Sequence, residues 1–253
     1  MNGKKRILLK LTGKLLEPQH ASHIKQVLEN MIALKETHHF GIVIGGGNFF
    51  RGHQHGKALG LSSPAGHTVG MLATLMNGVI LKDLMHQAGM PVRLLTAVAC
   101  DIVAQPIQQD AIDDACRNSE ILIFAAGTGN PFFTTDTNAI MRALQMQAHE
   151  VWKATNIDGI YTTNPHTDIT ATFIKQLTHQ EAIDRALGIM DATALTLANE
   201  YKIPIRVFNL FCTNPLLEMV QSPNIGSIIE TKDTHDSNYP CGKRYENVPK
   251  SYG

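Results

Sequence analysis

The sequence lacks the features that identify several large protein classes. Its few cysteines are widely spaced and form no C-x-x-C pair, so a zinc site is not supported, and free thiols in a reducing cytoplasm are expected. They are Cys100, Cys116, Cys212 and Cys241. The formal net charge is zero, with a pI near 7.2. This balance argues against nucleic acid or an anionic membrane surface as the main partner.

Long apolar runs and familiar nucleotide-binding motifs are also lacking. We expect no secretory apolar region at the start, and no run of about 18 apolar residues that would span a bilayer. The glycines match neither G-x-x-x-x-G-K-[ST] nor G-x-G-x-x-G, which excludes a Walker loop and a dinucleotide fingerprint. The composition, 43% hydrophobic and 17% charged, is typical of a globular chain. The length allows one large α/β domain or two small ones.

The most informative stretch that is present is ILIFAAGTGNPFFTTD, residues 121–136. Its apolar start, residues 121–126, suits a strand buried on both faces of a parallel sheet. Turn formers follow, and then a Thr/Asp group precedes a helical pattern over residues 137–147, which is an N-cap signal. A helix N-terminus behind a glycine-rich loop points free N–H groups at one place, which suits an anion. The alternative is an ordinary βα turn.

A second stretch of the same kind is GIVIGGGNFFRG, residues 41–52. Residues 42–44 are a short strand candidate, and three consecutive glycines let the backbone approach a ligand with no Cβ in the way. The guanidinium of Arg51 can hold phosphate with two hydrogen bonds. Two such loops fit one ligand with phosphates at two places, or two ligands that meet.

The first predicted strand, residues 6–11, contains a lysine in an otherwise apolar run. One interpretation is that Lys10 is an edge-strand lysine whose ammonium reaches water. The other is a cation at the point where the strand opens into Thr12 and Gly13, aimed at a phosphate.

The remaining elements alternate between strand and helix patterns. Further strands are predicted at residues 92–96, 150–153, 205–209 and 225–230. Helices are predicted from a Ser22 cap to residue 38 and over 66–89, 106–118, 178–185 and 192–201, with a hairpin at 155–165 around Asp158 and Gly159. No linker divides the chain, so we expect a single domain over residues 1–230 and a polar, mobile tail over 231–253.

Seven segments together resemble the bacterial uridylate kinases (UMP kinases) of the amino-acid-kinase superfamily. They are KRILLKLTGK, GIVIGGGNFFRG, GMLATLMNG, AGTGNPFFTTD, KATNIDGIYT, MDATALTLA and PIRVFN. The resemblance implies a three-layer αβα sandwich with a mainly parallel central sheet, the carbamate-kinase-like fold. It also implies transfer of the ATP γ-phosphoryl group to UMP in pyrimidine nucleotide biosynthesis, Mg²⁺ bound with ATP, a homohexamer and a cytoplasmic location.

The resemblance implies a set of site residues. The expected catalytic residues are Lys10, Arg51, Asp136 and Asp191. The expected UMP-binding residues are Gly46, His67, Thr128, Gly129, Asn130, Pro131, Phe132, Phe133, Thr134 and Thr135. The expected ATP-binding residues are Lys10, Thr12, Gly13, Gly47, Arg51, Thr155, Tyr161 and Asn164. No metal ligand is assigned, and the histidines at 53, 55 and 67 have no third partner at a spacing suited to a metal.

Two of these carboxylates carry alternative interpretations. Asp136 is either the N-cap of its helix or the group that orients the catalytic lysine, as its place in the superfamily implies; both are compatible. Asp191 lies either near the phosphates or only at another helix cap.

Four positions depart from the family pattern. Lys14 replaces a glutamate, and the loop after it is short, so GTP activation is not assumed. His67 replaces an aspartate that bonds the ribose of UMP, and Asn156 and Asn164 replace charged residues on the ATP side. These departures leave two alternatives: a kinase of the same fold with another acceptor, or a nucleotide-binding regulator with weak transfer.

Phosphoryl transfer to a nucleoside monophosphate makes limited demands on the protein. The acceptor phosphate is already ionised at neutral pH because its second pKa is about 6, so no general base is required. This agrees with the lack of a His/carboxylate pair at a convincing spacing. The reaction needs cations and N–H donors that hold the phosphates in line.

Overall fold

The computed structural model describes residues 3–222 and 224–231. The strands are β1 (Lys5–Leu11), β2 (His38–Ile44), β3 (Val92–Thr96), β4 (Gln105–Pro106), β5 (Ile121–Ala125), β6 (Glu150–Thr155), β7 (Ile160–Tyr161), β8 (Phe173–Ile174), β9 (Gln176–Thr178), β10 (Ile205–Asn209) and β11 (Ser227–Glu230). The helices are α1 (Ala21–Leu34), α2 (Ser63–Gln87), α3 (Gln109–Arg117), α4 (Thr135–Gln145), α5 (His179–Asp184), α6 (Ala192–Glu200) and α7 (Pro215–Gln221). Short turns of 3₁₀ helix follow β1, at Gly13–Leu16 and Pro18–His20. Apart from residue 231, the predicted tail lies outside the described residues.

Nine strands form one sheet in the order β4-β3-β5-β2-β1-β6-β10-β11-β9. Every neighbouring pair is parallel except β10 and β11, which are antiparallel. Strands β7 and β8 pair separately as a small antiparallel ribbon. Helices cover both faces of the large sheet, so the predicted three-layer sandwich is confirmed.

Alternation along the strands divides the core into two layers. In β1, Ile7 and Leu9 face a cluster built with α1, α2 and α7, whereas Leu8 faces a cluster built with α3, α4, α5 and α6. In β6, Trp152 belongs to the first cluster and Val151 to the second. The even positions of β1 and the odd positions of β6 therefore face α4, and this alternation decides where the strand lysines point.

Several predicted boundaries are wrong because distant segments supply the partners. Helix α1 begins at Ala21, so Ser22 lies inside it and does not cap it, and it ends at Leu34 because β2 already begins at His38. No hairpin closes around Asp158, since β7 pairs with β8 instead. Helix α4 begins two residues earlier than predicted. Helix α7 and the short strands β4 and β9 were not predicted at all.

Helix α2 has the length and composition of a membrane span, which the sequence did not lead us to expect. Its best 18-residue window has a mean hydropathy of 1.2 and is 39% buried. Its side chains Ala73, Leu75, Leu81 and Met85 are buried. Packing of one side against the sheet therefore accounts for part of its apolar character, and an exposed apolar stripe remains on the other side.

Candidate active site

The carboxyl ends of the central parallel strands meet at one edge of the sheet, where ligands bind in open α/β folds. The loops that follow β1, β2, β5 and β6 all begin at this edge. The first two loops are joined directly, because the Gly45 N–H donates to the Leu11 carbonyl oxygen at 3.1 Å.

An asparagine pair holds these two loops against α2. The Asn77 side chain, fully buried, donates to the Gly45 carbonyl oxygen at 2.6 Å and to Asn48 Oδ1 at 2.7 Å. A Cβ at Gly13 would lie 2.2 Å from Asn48 Oδ1 and 2.4 Å from the Gly45 carbonyl oxygen. Gly13, for which the family resemblance implies ATP binding, is required for loop packing. Neither asparagine was predicted as a site residue.

The three consecutive glycines have different roles. A Cβ at Gly46 would lie 2.8 Å from the Ala73 Cβ and 2.9 Å from the Thr74 backbone nitrogen, so this glycine permits close approach of α2. A Cβ at Gly47 would meet only the flexible Arg51 side chain, at 3.7 Å. Open space for a ligand is therefore found at Gly47, while Gly46 is a packing position.

The loop after β5 has an unusual backbone. Positive φ angles occur at Ala126 (61°), Gly129 (83°) and Phe132 (71°), a region that L residues rarely adopt. The buried Arg142 supports the loop from α4, donating to the Gly127 carbonyl oxygen at 3.4 Å. Burial lowers the pKa of Arg142 to about 10. The loop is thus held in a strained form by a buried cation.

The tip of this loop is exposed and touches α2. Phe132 is 65% exposed, and its ring centroid lies 4.9 Å from that of His67. The Thr128 hydroxyl closes a local turn, donating to the Asn130 carbonyl oxygen and accepting from the Asn130 N–H, both at 3.1 Å. Pro131 and the half-exposed Phe133 complete the tip. His67 therefore lies beside the loop that carries the predicted UMP-binding residues 128–133.

A lysine–aspartate–lysine cluster lies beneath these loops. Lys10 Nζ is 3.0 Å from Asp136 Oδ1, and Lys153 Nζ is 2.9 Å from Asp136 Oδ2. Burial opposes ionisation of Asp136, but the charges of Lys10 and Lys153 outweigh it and leave the pKa of this carboxyl below its usual value. Thr134, and not Asp136, is the N-cap of α4; its hydroxyl accepts from the N–H groups of residues 136 and 137. Of the two interpretations of Asp136, the geometry supports the one that pairs it with Lys10.

Asp191 connects the N-termini of two helices. It is the N-cap of α6, accepting the Ala194 N–H at 2.9 Å. It also accepts hydrogen bonds from the hydroxyls of Thr134 and Thr137. Asp191 is therefore a helix cap whose carboxylate also lies beside the first turn of α4, which carries Asp136. Thr135, in the same turn, lies near the first glycine loop, 4.0 Å from the place of a Gly45 Cβ.

The predicted ATP-binding residues lie on several elements. Thr12 caps the turn after β1, accepting from the Lys14 N–H at 3.4 Å. The exposed Arg51 side chain donates from Nε to the Gly47 carbonyl oxygen at 3.1 Å. Thr155 donates to the carbonyl oxygens of residues 157 and 208 at the end of β6.

Tyr161 and Asn164 belong to the small ribbon and its loop. The Tyr161 ring packs on Phe173 at 5.4 Å, and the Asn164 side chain accepts from the His166 N–H at 3.0 Å. The contacts described for these two residues are with other residues of the ribbon and its loop, and not with the cluster of Lys10, Asp136 and Lys153. Their role in ATP binding therefore stays a prediction.

Comparison with known proteins identifies the family. The model of the amino acid kinase family matches residues 5–209. The chain belongs to this family. It is 41% identical over 237 residues to the uridylate kinases of Escherichia coli K12 and Shigella flexneri, covering 89% of this chain and 95% of each relative. This places it among the uridylate kinases of the amino acid kinase family.

Solved structures of family members have the same fold. The UMP kinase of Ureaplasma parvum superposes with a TM-score of 0.83 at 30% identity, covering 90% of this chain and 99% of that one. The UMP kinase of Bacillus anthracis gives 0.84 at 27% identity, covering 90% and 97%. A uridylate kinase from Archaeoglobus fulgidus, at 22% identity and a TM-score of 0.70, supports the fold alone.

In this family member, sequence reasoning missed Lys153. The signal was the one that drew attention to Lys10, a lysine within an apolar strand, here VWKAT. The sequence pattern predicts that residues 150–153 start a strand, but it assigns this lysine no role. The structure continues β6 to Thr155 and buries the lysine.

Proposed function

We propose that this chain is a UMP kinase, which transfers the γ-phosphoryl group of ATP to UMP and produces UDP. One observation carries the proposal: a buried cluster with two cations and one carboxylate lies under two glycine-rich loops, in a chain 41% identical to uridylate kinases. Two cations that share one carboxylate suit a site that must neutralise a transferring phosphoryl group.

The residues divide into an acceptor side and a donor side. The loop of residues 127–135, with His67 beside it, holds UMP through N–H groups and the hydroxyls of Thr128 and Thr135. Gly47 and Arg51 hold phosphate where donor and acceptor meet, and Lys10 stabilises the charge of the transferred group. Thr12, Gly13, Thr155, Tyr161 and Asn164 contact ATP, and Asp136 and Asp191 orient the groups around it. The UMP phosphate attacks as an ionised nucleophile, so no side chain has to remove a proton.

Mg²⁺ enters this reaction with ATP. Within residues 3–222 and 224–231, no three His, Cys, Asp or Glu side chains are grouped to hold a metal. Mg²⁺ is commonly held by substrate phosphates and water with one or two carboxylates, so bound ATP provides most of its ligands. The ion neutralises phosphate charge when bound.

A homo-oligomer, proposed to be a hexamer, is supported by α2. Leu72, Met76, Val79 and Ile80 form an exposed apolar stripe on the side of the helix that faces away from the sheet. Such a stripe is suited to contact with a second copy of the chain. We further propose a single domain over residues 1–230, a cytoplasmic location, and no nucleic-acid or membrane partner.

The test is coupled ADP formation from Mg-ATP with UMP, CMP, dUMP, AMP and GMP in parallel. We expect strong turnover with UMP alone. Turnover with a different acceptor would overturn the assignment of UMP and direct attention to His67. If no ADP forms with any of the five acceptors, in a folded sample that binds ATP or UMP, the kinase function is overturned in favour of a regulator.

A further inference from the structure

Lys153 is a buried lysine next to Lys10. It lies in the middle of β6, directly opposite Lys10 of β1 in the parallel register. Both side chains point to the face covered by α4. Two like charges on adjacent buried strand positions repel each other, so the fold needs an anion between them, and Asp136 from the first turn of α4 is that anion.

The two lysines differ in the number of oxygen atoms that their ammonium groups contact and in their exposure. Lys153 Nζ donates to Asp136 Oδ2 and also to the backbone carbonyl oxygen of Ile189. Its side chain is 11% exposed, against 18% for Lys10. The Ile189 carbonyl lies in the segment that leads to Asp191, the cap of α6. Lys153 thus connects β6, α4 and the α6 cap, while Lys10 keeps N–H donors for a ligand.

We infer that Lys153 is a positioning residue for phosphoryl transfer: it occupies one oxygen of Asp136 and thereby keeps that carboxylate from binding Lys10 as a closed one-to-one pair. With Lys153 charged, Asp136 is shared between two lysines, and Lys10 is available to the transferred phosphoryl group. With Lys153 neutral or removed, Asp136 balances Lys10 alone, and the phosphoryl group must compete with it. This inference rests on the proposed UMP kinase function.

The protonation of Lys153 follows from the groups around it. Burial, and next the positive charge of Lys10, lower the pKa of Lys153 to about 8, against the opposing attraction of Asp136 and Asp191. The charged form therefore falls as the pH rises through this value. Since kcat/KM reports groups of the free enzyme, we expect kcat/KM for Mg-ATP to decline above about pH 8.

The experiment compares wild type, Lys153→Met, Lys153→Arg and Lys5→Met in the coupled assay over a range of pH. Lys5→Met is a matched control, because Lys5 also joins β1 to β6 through a carboxylate, Glu150, but at the opposite edge. Lys153→Met should lower kcat by about 100-fold, the cost of misplacing a catalytic group by about 1 Å, with a much smaller change in KM for UMP. It should also lose the alkaline decline. Lys153→Arg keeps its charge at all accessible pH values, so it should move the decline to higher pH.

Each outcome decides one question. A folded Lys153→Met enzyme with wild-type kcat and the wild-type alkaline decline would overturn the inference and leave the proposed function intact. If Lys153→Met does not fold, Lys153→Arg decides, and an alkaline decline at the wild-type pH would overturn the inference. If wild type forms no ADP with any acceptor, the proposed function fails, and the inference fails with it.

Discussion

Strands β1 and β6 are joined by lysine–carboxylate contacts at both ends, and the two ends differ in exposure and in how many lysines share the carboxylate. At the amino edge Lys5 pairs with Glu150, which also accepts from Trp152 Nε1 at 2.7 Å and is acted on by the charge of Arg206 in β10. At the carboxyl edge Lys10 and Lys153 share the single carboxylate of Asp136.

The difference in exposure and in sharing of the carboxylate separates a structural contact from a site. The Lys5 side chain of the amino-edge pair is 42% exposed, so water solvates its charge and the pair needs no ligand to be stable. At the carboxyl edge two largely buried lysines share the carboxylate of Asp136, and Asp191 is a further acidic group that acts on Lys153. The edge where two buried lysines share one carboxylate is the one where the glycine-rich loops gather, so the sheet directs an anionic ligand to that edge.

The change with the largest expected effect is Lys10→Met. It removes the cation next to the ligand, and kcat should fall by about 10²–10³-fold, as for loss of one transition-state donor. The measurement is steady-state ADP formation with UMP. The ion pair between Asp136 and Lys153 remains in this variant, so the protein should still fold. A kcat within about threefold of wild type would contradict the role given to Lys10.

Asp136→Asn breaks the cluster at its centre and should lower the free energy of unfolding by about 3–5 kcal/mol at pH 7, the cost of removing one partner from a buried ion pair. Urea unfolding at several pH values measures it. Because the pKa of Asp136 is depressed in the folded state, its contribution is present above the unfolded value of about 3.9 and is lost as the pH falls through the folded value.

The matching control for this change is Asp101→Asn, which removes an exposed carboxylate. The unfolding curves of this variant should coincide with those of wild type. For Asp136→Asn, the stability gap to wild type should shrink in acid; a gap of constant size from neutral to acidic pH would show that the carboxylate charge is not what stabilises the cluster.

A smaller loss of stability is expected from a change in the loop after β2, which packs against α2 at the carboxyl edge. Gly46→Ala would place a Cβ 2.8 Å from the Ala73 Cβ, so α2 has to shift, and we expect a loss of about 1–3 kcal/mol from overpacking. Gly47→Ala is the matched control, since its Cβ meets only the Arg51 side chain at 3.7 Å. Thermal unfolding of the two variants should separate them; equal melting temperatures would argue against the packing role of Gly46.

The smallest effect should come from Lys5→Met at the amino edge. A partly exposed ion pair contributes about 1 kcal/mol or less, and no step of the proposed reaction uses this residue. Urea unfolding should therefore show a slight loss of stability, and ADP formation should be unchanged. A large fall in kcat would mean that the two edges are coupled and that the contrast drawn between them is wrong.

Local patterns predicted most of the elements. The strands at residues 92–96 and 205–209 are found with the predicted ends, because each is a short apolar run bounded by turn formers. The glycine-rich loops and Lys10 were also found locally, since a charge in an apolar strand and a triple glycine are visible without knowing any partner.

Contacts between distant segments were not predictable in this way. The ribbon strand β7 pairs with β8, so a hairpin expected from the turn at residue 159 was wrong. The role of Asn77, which lies in a largely apolar helix, could not be predicted from the sequence, because it depends on contacts with the loop after β2. Lys153 carried a local signal, but its importance depends on Asp136, which approaches it from another element.

The sequence by itself determined the alternation of strands and helices, the two glycine-rich loops and the presence of lysines within strands, because each depends on periodicity and on the conformations that neighbouring residues permit. Only the tertiary structure decided that two of these lysines lie side by side and share one aspartate, that Gly46 serves packing while Gly47 leaves space, and that Thr134 rather than Asp136 caps α4. The physical reason is that charge balance and close packing are set by distances between segments far apart in the chain, which periodicity along the chain does not contain.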